Sequence, residues 1–246
     1  MYHVFILLLS IGNVYNLTCK DVLDISDLKK IKLYELQSLS PQDVINCLSY
    51  LGKEKLTVSE ASFIWNSIIE FYSGISNIPE DTLVTLHWVT IAISPEDYQN
   101  MTLGTLDVIT NFGFNYGLSN EKLRAIADRV RCDFGDKQPE DYSCYDLAAL
   151  RQILCAFNKS EIERIHPKAY KEVAVIIGKL KNCNYDVLQG FATLTVDIDA
   201  FGSPDTWTNS TIRSLGVVAE HLPEEITVKL KKKLGSHILE NIGNVD

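Results

Sequence analysis

A chain of 246 residues with 46% hydrophobic content and a net charge of −9 is a folded protein of one large or two small domains. Its acidity argues against nucleic acid as a partner, because a duplex would repel it. Thirteen Gly and seven Pro are few for an all-β chain of this length, and they favour helices.

The first feature along the chain is VFILLLSIG, Val4 to Gly12, an apolar run too short to span a bilayer. It has the form of the hydrophobic part of a secretory signal, with Ser10 and Gly12 as small residues near a cleavage point. No Lys or Arg precedes it, and the alternative is a buried first helix. Residues 1–16 are accordingly expected to be a signal peptide and 17–246 a single helical domain.

Helix-start signals then recur. Ser26 with Asp27 is the first, and Ser40-Pro41-Gln42-Asp43 comes next. Ser94-Pro95-Glu96-Asp97 repeats the second pattern: Ser at the cap, Pro at the first helical position and an acid in the first turn. Thr57 with Glu60 and Ser160 with Glu163 read as capping boxes, and Ser119, Ser143 and Pro223-Glu224-Glu225 as further starts. Apolar stripes at helical spacing succeed these starts. One runs through Val58, Ala61, Ile64, Ile68 and Phe71, and another through Leu123, Ile126, Ala127 and Val130. A third holds Leu147, Leu150, Ile153, Leu154 and Phe157, and a fourth Ile212, Leu215, Val218, Ala219 and Leu222. Ala192 to Asp199 alternates like a strand, but Phe191, Leu194, Ile198 and Phe201 also fall at helical spacing, and no partner strand is near. The expectation is an all-α chain of ten to thirteen short helices in a right-handed superhelical solenoid of the armadillo or HEAT type, with no exact repeat visible. The lysine-rich stretch Lys229 to Lys233 is the single basic cluster, and a solvated helix face accounts for it.

Recognisable catalytic chemistry is absent. The five histidines include no i, i+4 zinc pair, and there is no CxxC, GxSxG, GxGxxG or Walker motif. Asp197 and Asp199 lack a surrounding calcium loop. Cys155 and His166 could form a nucleophilic pair only if the fold brought them together, and nothing local does so. We therefore expect no catalytic residue, no metal, no cofactor and no enzymatic activity.

The cysteines and sequons bear on the compartment. Six cysteines lie after the apolar run, at spacings of 28, 85, 12, 11 and 28. In a solenoid each unit touches its neighbours, so near-sequence pairs are expected: Cys19–Cys47, Cys132–Cys144 and Cys155–Cys183. The alternative is free buried thiols in a cytosolic HEAT-like scaffold. Four sequons, at Asn16, Asn100, Asn158 and Asn209, add glycosylation sites to the secretory reading.

Three longer segments resemble a known family. ISPEDYQNMTLGTLDVI (Ile93 to Ile109), SCYDLAALRQILCAFNKSEIERIHPKAY (Ser143 to Tyr170) and SPDTWTNSTIRSLGVVAEHLPEEI (Ser203 to Ile226) are similar to recurrent units of the mesothelin/otoancorin/stereocilin family, in that order. In the second, Asn-Lys-Ser-Glu-Ile replaces the usual Ser-Pro-Glu-Glu, and Cys183 falls where the unit has its second cysteine. The resemblance covers about residues 40 to 235. It implies an extracellular helical superhelix without catalytic activity, acting at apical cell surfaces in adhesion or in attaching acellular gels. The implied partner is an extracellular protein or glycoprotein, with peripheral cell-surface association and no transmembrane helix. Where many members carry a glycolipid anchor, SHILENIGNVD at this end lacks the apolar tail of an anchor signal, which predicts either a secreted or partial form or attachment through a partner.

Overall fold

A computed structural model describes residues 17–25 and 30–235. The signal segment, Asn16, the start at Ser26–Asp27 and the segment from 236 lie outside the described residues. Within them the chain is all-α, with no strand. Its α-helices are α1 (Cys19–Asp24), α2 (Leu33–Leu36), α3 (Pro41–Asn46), α4 (Leu48–Leu51) and α5 (Val58–Tyr72). Next come α6 (Glu80–Val84), α7 (Leu106–Gly113), α8 (Asn120–Asp133), α9 (Cys144–Leu150) and α10 (Lys159–Glu163). The last five are α11 (Pro167–Ile177), α12 (Tyr185–Val196), α13 (Ile198–Phe201), α14 (Asn209–Leu215) and α15 (Glu224–Leu234).

Local chemistry starts most of these helices. Ser40 caps α3 through Asp43, Thr57 and Glu60 form a reciprocal box on α5, and Ser143 with Asp146 does the same on α9. The ambiguous Ala192–Asp199 stretch is helical through Val196, burying Phe191, Ala192, Leu194 and Thr195. Three expectations are corrected. Asn158 rather than Ser160 caps α10: its Oδ1 accepts from the Glu161 amide at 2.9 Å, and Glu161 accepts from the Asn158 amide at 2.8 Å. His166-Pro167, where no helix start is predicted, opens α11, with Pro167 at the first position. Ser94 and Asp97 do exchange hydrogen bonds, but they start only a single 3₁₀ turn, Asp97–Asn100.

Among the described residues two of the predicted stripes are each broken in the middle. Residues Arg151–Ala156 and Gly216–His221 continue α9 and α14 as 3₁₀ helices, and His87–Ala92 is a third such segment after α6. Each begins at a positive φ: 45° at His87, 40° at Arg151 and 50° at Gly216. This region favours glycine, and two of the three positions hold a large side chain there. The three breaks are 64 and 65 positions apart.

A glycine from an upstream helix end meets each break. A Cβ on Gly52 would lie 2.5 Å from the Leu86 carbonyl oxygen, and one on Gly178 would lie 2.7 Å from that of Leu215. One on Gly113 would meet the Ala149 carbonyl oxygen closer still. The missing side chain lets backbone touch backbone: the Trp88 amide donates to Gly52 O at 2.9 Å, and the Val217 amide to Gly178 O at 3.0 Å. The structure thus repeats one joint three times, Gly52 with His87, Gly113 with Arg151 and Gly178 with Gly216. Each joint buries an apolar pair from its 3₁₀ segment or its immediate surroundings: Val89 with Ile93, Ile153 with Leu154, and Val218 with Ala219.

Buried polar groups fasten the first two joints. Asn111 accepts from the His87 amide at 3.0 Å and donates to the Leu83 carbonyl at 3.0 Å, which satisfies backbone groups freed by the break. Gln152 accepts from the Lys181 amide at 3.3 Å and donates to the Lys181 carbonyl. Between these joints, Asp146 is buried and bonded to Lys137 at 2.8 Å and to the Ser143 amide at 2.8 Å. Burial alone would raise its pKa, but the bonds from Lys137 and Ser143 outweigh it and hold the carboxyl below its ordinary value of 3.8.

A depressed folded-state pKa supplies stability that is fully present above the unfolded value and is lost as pH falls through the folded one. Urea midpoints of the wild-type chain should therefore fall as pH is lowered below about 4, where the unfolded chain takes up the proton that the folded carboxyl still resists. Asp146→Asn should cost about 1–2 kcal/mol at neutral pH, as for loss of a helix cap, and should flatten that acid slope. An unchanged slope in the variant would show that Asp146 does not carry it.

Candidate functional site

The segment around the second joint gathers the most chemistry. Cys155, in the 3₁₀ segment after Arg151, is bonded to Cys183 in the turn after α11, a separation of 28 residues. Gln152 lies beside this bridge, with Nε2 3.2 Å from the Cys155 sulfur. Cys155 is therefore occupied and buried, and cannot act as a nucleophile. His166 caps α11, its Nδ1 accepting from the Lys168 amide at 3.2 Å.

The other cysteines behave differently. Cys19 and Cys47 are both buried in the same apolar core, and the Cys47 thiol donates to the Asp43 carbonyl at 3.0 Å. Both are thiols in this structure. Burial first, and then the nearby Cys19 thiol, push the Cys47 pKa up. The Cys132–Cys144 pairing is corrected: both are free. Cys132 is exposed near the end of α8, whereas Cys144 is half-buried at the first position of α9, where the Glu172 carboxylate of α11 pushes its thiol pKa up. Phe134 and Tyr142, which fall between them in sequence, are buried and pack together at 6.4 Å between ring centroids.

Beside the Cys155–Cys183 bridge lies an open cleft of about 650 Å³ between α8, α10 and α12. Its wall is polar. Arg131 bonds to Asp128 at 2.7 Å and to Glu161 at 3.1 Å, with its guanidinium 4.7 Å from the Phe157 ring centroid. Lys159 bonds to Gln189 at 2.9 Å. Tyr185 is 62% exposed at the rim and packs edge-on against His221 at 5.2 Å.

Asn158 stands on the cleft wall and is exposed. Its Oδ1 is taken by the Glu161 amide and by the Ser160 hydroxyl at 2.6 Å. The cap uses the oxygen alone, so a glycan on Nδ2 would leave it in place. Asn100 and Asn209 are also exposed, Asn100 at the end of a 3₁₀ turn and Asn209 at the first position of α14.

Among the described residues no group of three or more His, Cys, Asp or Glu side chains could hold a metal ion, and no helix is long and apolar enough to cross a membrane. No protein-family model matches the chain. It is 26% identical over 155 residues to otoancorin of Mus musculus, covering 63% of this chain and 13% of that protein. The same identity and coverage hold for otoancorin of Homo sapiens. That likeness supports a relation to otoancorin-like proteins. The chain matches only about an eighth of the length of these relatives.

Sequence reasoning missed the cap role of Asn158 because Asn-Lys-Ser-Glu also offers Ser160 as a start. The signal was present: Glu161 stands three residues after Asn158, the spacing of a capping box. The cleft itself had no sequence signal, since α8, α10 and α12 come together only through the joint.

Proposed function

We propose that this chain is a non-enzymatic, extracellular helical-repeat protein that attaches cells to extracellular matrix or to an acellular gel. The observation that carries the reading is the Cys155–Cys183 bridge at a repeated joint, taken with the likeness to otoancorin. Disulfides persist in oxidising compartments, and a bridge between neighbouring units suits a chain working outside the cell. The three joints, 64 and 65 positions apart, support a mesothelin-like solenoid in which successive units stack through glycine contacts. Such an array offers a long surface to a macromolecular partner, an extracellular protein or glycoprotein. Glycans at Asn100, Asn158 and Asn209 would sit on exposed helix starts and turns. Cys19 and Cys47, buried in the same core, are the pair that the same oxidising compartment would join next. The place of action is the secreted pool or an apical cell surface.

Beads coated with the chain secreted from mammalian cells should adhere to epithelial monolayers, and to their decellularised matrix, more than albumin-coated beads do. Equal adhesion would overturn the attachment reading. The second reading, a cytosolic HEAT-like scaffold, is favoured by the exposed Cys132 thiol. It requires the expressed chain to stay inside the cell with no shift on glycosidase treatment.

A further inference from the structure

The chain carries net charge −9, yet Lys229, Lys231, Lys232 and Lys233 fall within five residues of α15. Lysines in a last helical turn complement the helix dipole, and that alone would account for one or two of them. Three observations go further. All four are exposed, and among the described residues none pairs with a carboxylate, although the chain has acids to spare. Lys229, Lys232 and Lys233 line one open cleft of about 390 Å³ with Pro204, Asp205 and Leu230. Lys233 is held in place, its Nζ donating to the Trp207 carbonyl at 3.0 Å and to the Asp205 carbonyl, which pins α15 to the Pro204–Thr206 turn.

The geometry is that of a polyanion site. Lys229, Lys232 and Lys233 stand at i, i+3 and i+4 on one side of α15 within a rise of about 6 Å, less than the roughly 8 Å screening length at physiological salt, so their ammonium groups act on a ligand together, while Lys231 falls on the other side of the helix. Among the described residues the only acid lining the cleft is Asp205, and Glu224 and Glu225 stand at the opposite end of the helix. Among the same residues no aromatic side chain lines the cleft to stack a base, and Leu230 is buried, so they offer neither a nucleic-acid platform nor a membrane-inserting edge. Lysine ammoniums are compact point charges that suit sulfate groups spaced along a flexible chain.

We infer that the Lys229–Lys233 face of α15 binds a sulfated glycosaminoglycan. The choice of a polysaccharide rests on the extracellular reading above, and the test does not depend on where the chain resides. Purified chain should bind heparin with an affinity that falls steeply with salt, and should bind unsulfated hyaluronan far more weakly. The double variant Lys229→Gln, Lys232→Gln removes the two free ammonium groups of the cleft and keeps the Lys233 anchor. It should weaken heparin binding about thirtyfold and reduce the salt dependence, with an unchanged circular dichroism spectrum. A companion variant, Lys231→Gln, removes positive charge from the other side of α15 and should leave heparin binding within about twofold of wild type. Equal retention of the double variant and the wild type would overturn the inference. So would equal affinity for hyaluronan, or tighter binding to phosphatidylserine vesicles than to heparin. Secretion and adhesion of the chain are read separately, so a failed heparin assay leaves the attachment reading standing.

Discussion

A Gly113→Ala chain is expected to lose about 3 kcal/mol of folding stability, the upper end of overpacking penalties. The added Cβ would fall on the Ala149 carbonyl oxygen and would also crowd that of Leu150. Both are backbone atoms, so no flexible side chain can swing aside. Relief would require α7 to separate from α9, opening the joint at Arg151. Gly117→Ala is the matched control. Gly117 also sits in the chain after α7, at φ 71°, but nothing lies within 4 Å of its added Cβ. Its cost is conformational alone, about 1 kcal/mol. Urea midpoints of the two variants should therefore separate clearly. Equal midpoints would mean that the glycine contact does not hold the joint.

Loss of the Cys155–Cys183 bridge is the second large effect. A loop of 28 residues closed by a disulfide contributes about 3.5 kcal/mol through the entropy of the unfolded chain. Cys155→Ser with Cys183→Ser, made together so that no odd thiol remains, should lower the urea midpoint by a corresponding amount. Cys132→Ser should leave it within about 0.5 kcal/mol, because that residue is exposed and unpaired. The bridge closes over Gln152, so its loss should loosen the Gln152–Lys181 contacts as well. Hydrogen exchange at the Lys181 amide should then rise in the double variant beyond what global destabilisation requires. A double variant as stable as wild type would show that packing alone holds the second joint.

These two effects separate the legible parts of the fold from the illegible ones. The caps were legible because Ser, Thr and Asn act on amides three residues away, and α3, α5 and α9 all begin where that local chemistry places them. The all-α character and the helical state of Ala192–Val196 came from period and from the lack of a partner strand. The joints were not legible. Two of the three breaks are at His87 and Arg151, which carry no sequence mark of a positive φ, and the apolar stripe runs through the Arg151 break without interruption. Arg151 tolerates its conformation because its surroundings hold it: its guanidinium lies 4.5 Å from the Phe114 ring centroid, and its Nε donates to the Ala148 carbonyl at 2.7 Å. The repeat was hidden for the same reason, since His, Arg and Gly share no side chain. The recurring feature is the partner glycine, and a lone glycine at a helix end usually signals only a cap.

The candidate site shows the same division. Asn158 was visible as a sequon, while its second role as a cap emerged only with the Glu161 geometry. The pairing of Cys155 with Cys183 was one of fifteen combinations open to six cysteines, and the Cys132–Cys144 pair, nearer in sequence at 12 positions against 28, remains unjoined.

The most direct test of the extracellular reading is peptide mapping, without reduction, of the chain recovered from the medium of secreting cells. The account predicts a Cys155–Cys183 linked peptide with glycan on Asn158. Chain found only inside the cell, with Cys155 and Cys183 both open to alkylation and Asn158 bare, would contradict it.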